Sequence, residues 1–175
     1  MSKMESRLHF RNRAVPGVRL RAPHWKLLIA FGVITASLGA PAQNAPRPEA
    51  LIKWRQSAFQ VIAWNSGRIK SALAGHYDSR EVLSAASALA AVANSGLGTL
   101  FAPGTADGKG WRETTARDEV FSDAEKFRAL TSEFARESSA LARLAAGSDQ
   151  NAVREQFLKV AQTCKSCHDK YRQTD

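Results

Sequence analysis

Two thiols and an imidazole share one apolar stripe near the C-terminal end of the chain, and few folds accommodate that arrangement. Val153, Phe157, Val160, Cys164, Cys167, His168 and Tyr171 recur at three- and four-residue steps, so an α-helix turns them to one face. Within the stripe, Cys164-Lys165-Ser166-Cys167-His168 has the C-x-x-C-H spacing of c-type haem attachment. Two thiols at this spacing reach the two vinyl groups of one porphyrin and form thioethers with them. The adjacent histidine then lies over the ring, where its neutral imidazole ligates iron.

Two other uses of the stretch fit less well. A redox disulfide normally accompanies a strand-helix thioredoxin pattern, which this sequence lacks. A structural zinc ion needs four protein ligands, and beyond the first 42 residues the chain offers Cys164, Cys167, His76 and His168 alone among cysteines and histidines. Cys167 and His168 are neighbours and would share one ion awkwardly.

The first 42 residues read as a secretory leader. An Arg-rich segment ending at Lys26 precedes a short apolar run, Leu27 to Leu38, and Ala40-Pro41-Ala42 fits the small-x-small rule for cleavage after Ala42. The run is shorter than the roughly 20 residues of a bilayer crossing, so no membrane span is expected in the mature form. Export predicts a periplasmic protein. The leader carries seven Lys/Arg and one Glu, six of the nine net positive charges, which leaves residues 43–175 near +3. The basic balance of the whole chain is therefore no nucleic-acid footprint, and a DNA- or RNA-binding role is rejected.

Residues 43–175 suit one domain. After Pro46 and Pro48, the spacing of Leu51, Ile52, Ala58, Phe59, Ile62 and Ile69 predicts a first helix from Glu49 to about Ser71. Asp78, with Glu81 three residues on, caps a second, Ala-rich helix to Asn94. From Ser95 to Phe121 scattered glycines and Pro103 indicate a long surface crossover. Ser122-Asp123-Ala124-Glu125 forms a capping box for a third helix carrying Phe127, Leu130, Phe134, Leu141 and Leu144 and closed by Gly147. Ser148 or Asp149 caps the fourth. The expected fold is all-α, a four-helix antiparallel bundle with its crossover between the second and third helices, and bundles build cofactor sites from facing helices.

A haem motif at the C-terminal end of four helices, read as C-K-S-C-H-D-K-Y-R over Cys164 to Arg172, resembles the cytochrome c′ family, the class II cytochromes c. The stretch Ile52 to Phe59, I-K-W-R-Q-S-A-F, extends the resemblance into the first helix, and Phe121-Ser122-Asp123 matches more weakly. The resemblance implies that Arg55 lies by a haem propionate, that Phe59 faces the distal side of the iron, and that Arg172, one turn after His168, lies beside the proximal imidazole. It also implies a homodimer through the first two helices.

Both methionines, Met1 and Met4, lie in the leader. A Met/His low-spin site is thus unavailable to the mature chain, and His76 is expected to be a loop residue rather than a sixth ligand. These features favour one haem c with five-coordinate iron. The protein then acts in one-electron transfer with redox partner proteins, or alternatively as a dedicated binder of nitric oxide or carbon monoxide. A peroxidase would want a distal acid-base residue near Phe59, and none is there, so no enzymatic activity is expected.

Overall fold

In a computed structural model, residues 45–147 and 149–173 are described, and the leader with its cleavage point lies outside them. Pro48, whose missing N–H costs nothing in a first turn, opens α1, which runs Pro48–Ala74 and ends at Gly75. Helix α2, Ser79–Ala93, is capped as the sequence predicts: the Asp78 carboxylate accepts from the N–H groups of Arg80 and Glu81. Asp149 caps α5, Gln150–Tyr171, through the N–H groups of Asn151 and Ala152.

Between α2 and α4 (Ala124–Ala145) the crossover contains a 3-10 turn, Leu97–Leu100, and a single helical turn, α3, Glu119–Ser122. The predicted capping box does not form. Ser122, the cap residue of that box, ends α3 with its hydroxyl turned back to Asp118 O, and Asp123, at the N-cap instead, makes no side-chain cap bond to α4 because its carboxylate receives Lys170 Nζ and the Tyr171 hydroxyl of α5. Leu144, placed on the apolar pattern, is 39% exposed, whereas Ala145 one residue on is buried. The buried stripe of α4 thus continues with a small residue. Among the described residues there is no strand, only two isolated bridges.

Helix α2 packs against both α1 and α4, and α4 packs against α5. Its Ala85, Ala86 and Ala93 are buried between neighbours, and such small side chains let helix axes approach closely. Val82 and Leu89 of α2, Ile69 of α1, Leu141 of α4 and Val153 and Val160 of α5 complete the main core, all 1% exposed or less. Each such aliphatic side chain contributes ~1.5–3 kcal/mol on burial. The exposed ion pairs, Lys165 with Asp169 among them, contribute ~0–1 kcal/mol each. The bundle is therefore held by its α2-centred layer.

One polar lock joins α4 to α5. Gln156, buried on α5, donates to the backbone oxygen of Glu137 at 3.1 Å and to its carboxylate at 2.6 Å. These bonds, with help from Arg136, hold the Glu137 carboxyl below its ordinary value of 4.5. A carboxyl depressed on folding contributes stability that is present above its unfolded value and lost as pH falls through the folded one. Glu137→Gln is therefore expected to lower the thermal midpoint of the holoprotein at pH 7, and the gap to wild type should close as pH drops below about 4.5, as thermal scans across pH will check.

Candidate functional site

Helix packing closes three sides of the bundle and leaves the fourth open, because α1 does not pack along α5. A cavity of about 430 Å³ takes the place of that contact. Cys164, Cys167 and His168 line it from α5, Arg55 and Phe59 from α1, and Phe127 from α4. The structure thus brings all the sequence-predicted site residues to one cavity, Arg172 included. His76 lies in the turn between α1 and α2 and is not part of the lining.

Both cysteines are free and half-buried. Burial pushes the Cys164 thiol up, and burial together with the neighbouring Cys164 pushes Cys167 up to about 11. With nothing bound, both are protonated thiols at neutral pH. Among the described residues no group of three or more His, Cys, Asp and Glu is placed to hold a metal ion. Two neutral thiols and one imidazole on the wall of an apolar cavity suit a planar macrocycle that brings its own equatorial donors. Burial, and then the charge of Arg172, lower the His168 pKa below 6.5 against the opposing effect of Asp169, so the imidazole is neutral at pH 7 and able to ligate.

Arg172 follows His168 by one helical turn, its N–H donating to His168 O at 3.1 Å as the C-cap of α5. Helix α5 ends at Tyr171, and Arg172 is extended, with φ −114° and ψ 133°. The crossover fixes it there: Arg117 N–H donates to Tyr171 O at 2.9 Å and Gln173 N–H to Thr115 O at 2.8 Å, flanking an antiparallel bridge between Ala116 and Arg172.

Arg55 is 3% exposed, and its donors go to the crossover. Nη1 donates to Thr105 Oγ1 at 2.8 Å and Leu100 O at 3.4 Å, and Nη2 to Thr105 O at 2.6 Å and Thr114 Oγ1 at 2.5 Å. Desolvation pushes its pKa down to about 10, which still leaves it charged at neutral pH. The predicted surface crossover is therefore partly interior, with Thr105 fully buried. Sequence reasoning missed Phe101, Thr105, Thr114 and Asp123 as parts of this region. Their only local signals are turn residues and one loop aromatic, and the partners that draw Thr105, Thr114 and Asp123 in lie 47 or more positions away.

The profile described as "Cytochrome C'" matches residues 50–172. The chain belongs to the cytochrome c′ family. A cytochrome c′ of Rhodocyclus tenuis is 46% identical over 130 residues, covering 74% of this chain and 98% of that one. A solved cytochrome c′ described as having an unusual ligand-controlled dimer dissociation is 38% identical, with TM-score 0.71, covering 74% of this chain and 99% of its own. Variants of the Alcaligenes xylosoxidans cytochrome c′ with carbon monoxide and with nitric oxide bound are 30% and 28% identical, with TM-scores 0.65 and 0.66. They cover 73% and 75% of this chain and 98% and 99% of their own. The protein is thus a member of a haem-protein family, with the four-helix bundle of its relatives and haem c with iron as the cofactor that the family implies.

The crossover of this chain is strapped to α1 beside the cavity. Gln56 accepts from Trp111 N–H at 2.7 Å and donates to Arg112 O at 2.8 Å, Trp111 Nε1 donates to Ser57 Oγ at 2.8 Å, and Lys53 Nζ lies 3.9 Å over the Trp111 ring. The strap comes so close that a Cβ on Gly110 would meet Lys53 N at 2.6 Å, which is backbone and cannot swing away. Gly110→Ala is expected to lift the strap from α1 and destabilise the holoprotein by ~1–3 kcal/mol, read as a lowered thermal midpoint.

Proposed function

We propose that this protein is a periplasmic c-type haem protein with five-coordinate iron that acts in one-electron transfer and binds small gases. The observation that carries the reading is a cavity, set in the seam between α1 and α5, with Cys164, Cys167 and His168 on one wall and Phe59 on another. Cys164 and Cys167 hold the haem through two thioethers, and His168 supplies the proximal imidazole. Bound there, haem supplies a one-electron couple and an iron centre open to diatomic ligands.

The chain's own residues do the rest. Arg55, Arg112 and Arg172 make the cavity wall positive, and no carboxylate lines it, which supports placing Arg55 near the haem propionates. Phe59 and its aromatic neighbours exclude water and offer anions no hydrogen-bond donor, so they favour small neutral ligands. No residue after Met4 is a methionine. The lining has no second histidine and no acid near Phe59, which supports a binding or carrier protein over an enzyme. Among the described residues no helix is long and apolar enough to cross a membrane. Trp54, Val61 and Trp64 lie exposed on α1, by 50%, 41% and 64%, and support a homodimer. Between the two roles, carrying electrons or buffering gas, the carbon monoxide and nitric oxide complexes of the Alcaligenes xylosoxidans relative give the second its support.

Two experiments test the reading. The intact mass of protein exported from a bacterial host should equal the chain from Gln43 plus one haem, and the haem should resist acid-acetone extraction. Free extraction overturns covalent attachment. The ferrous protein at neutral pH should show a five-coordinate, largely high-spin spectrum, and a six-coordinate low-spin one would show that another side chain fills the distal position. Phe59→Ala should raise the carbon monoxide on-rate about five- to 140-fold, since ~1–3 kcal/mol of repacking is removed.

A further inference from the structure

Phe59 does not form the distal wall alone. Its ring meets Phe101 edge-on, with centroids 6.2 Å apart and planes at 67°. Phe101 closes the 3-10 turn Leu97–Leu100, where its N–H donates to Gly98 O. Beyond it the rings continue: Phe101 to Phe127 of α4 at 4.8 Å, and Phe127 to Tyr171 of α5 at 5.3 Å. All four rings line the cavity.

The second ring in this arc is held from three directions. Phe127 is 5% exposed within a small core formed with Val120 and Tyr171, so it gives Phe101 little room to retreat. The Arg55 guanidinium stands 4.6 Å from the Phe101 centroid, and its bonds to Thr105 and Thr114 fix it in turn. Backbone bonding of the 3-10 turn holds the third side. Phe59, by contrast, is 36% exposed on α1. A ring in a close-packed wall moves only where volume exists, and here the flank of Phe59 inside the fold is occupied by a residue that cannot easily move.

We infer that Phe101 is a specificity-determining residue of the distal side, bracing Phe59 and so setting how readily a small neutral ligand is admitted. The inference rests on the haem reading given under Proposed function. A ligand that pushes Phe59 inward must also displace Phe101, which Phe127 and Arg55 hold in place. Phe101 acts through Phe59 and need not touch the ligand.

The test is a cycle on the haem-loaded protein. Phe101→Ala should raise the ferrous carbon monoxide on-rate about tenfold, and adding it to Phe59→Ala should change the rate less than twofold, because the braced ring is already gone. Phe101→Leu, which keeps most of the volume but loses the edge-on contact, should give about threefold and carries the test if the alanine variant loads haem poorly. A second reading does not use ligand binding. In ferric protein labelled with 4-fluorophenylalanine, the fluorine resonance of Phe59, assigned by its loss in Phe59→Leu, should shift or broaden in Phe101→Leu. An unchanged on-rate, an equal gain in the Phe59→Ala background, or an unmoved Phe59 resonance each overturns the inference. Wild-type haem that extracts freely, or a six-coordinate ferrous wild type, overturns the haem reading instead.

Discussion

A guanidinium taken out of water must find acceptors, and the acceptors Arg55 finds determine the shape of the cavity. Thr105, Thr114 and Leu100 lie in the crossover, 45 to 59 residues along the chain from Arg55. Satisfying this one side chain draws a connection that would otherwise be solvated onto α1. An unsatisfied buried charge costs several kcal/mol, far more than the closure entropy of a longer loop. The strap of Gln56, Trp111 and Lys53 then extends the contact along α1. The crossover thereby becomes a wall of the site, and the phenylalanine it carries joins the lining.

The open seam between α1 and α5 follows from the same arrangement. In an ordinary bundle each helix packs on two neighbours. Here α2 touches both α1 and α4, but α5 has α4 as its packed helical neighbour, with its C-terminal end tied to α3 and the crossover. Asp123 secures that end. Its carboxylate leaves the N-terminus of α4 uncapped and receives Lys170 and Tyr171, so the helix bearing the cysteines is held by a tertiary bond in place of a local one. Arg154 of α5 donates to Leu73 O of α1, so the two helices are joined away from the cysteines while the cavity separates them near the motif.

The four long helices, their N-caps at Asp78 and Asp149, and the cofactor stripe of α5 were legible because each is a local pattern of period, cap or spacing. The failures share a cause. Ser122 to Glu125 has the letters of a capping box, and nothing local reveals that Lys170 competes for Asp123 from 47 residues away. Glycine and proline in the crossover do mark irregular backbone. They say nothing of burial, which Arg55 imposes from another helix. Phe101 carries no periodic signal, since a loop aromatic has no face until its neighbours are known. The step from His168 to Arg172 keeps its i to i−4 bond, but nothing local reveals that the chain leaves the helix there to bridge Ala116.

Charge gives the strongest physical reason for matching this cavity to an anionic, planar group. Arg55 is charged at neutral pH and shielded from water, and its partners are hydroxyl and carbonyl oxygens with no carboxylate among them. Such dipoles satisfy its N–H groups and leave its net charge uncompensated, consistent with desolvation pushing its pKa down to about 10. Arg112 and Arg172 add like charge to the same wall. A purely apolar occupant would deepen the cost by displacing the water that reaches Arg112 and Arg172. An occupant with an apolar ring and two carboxylates reverses the sign of that term: it fills the seam that helix packing leaves open and supplies counter-charge. On this account the proposed haem completes both the packing of the bundle and its electrostatics.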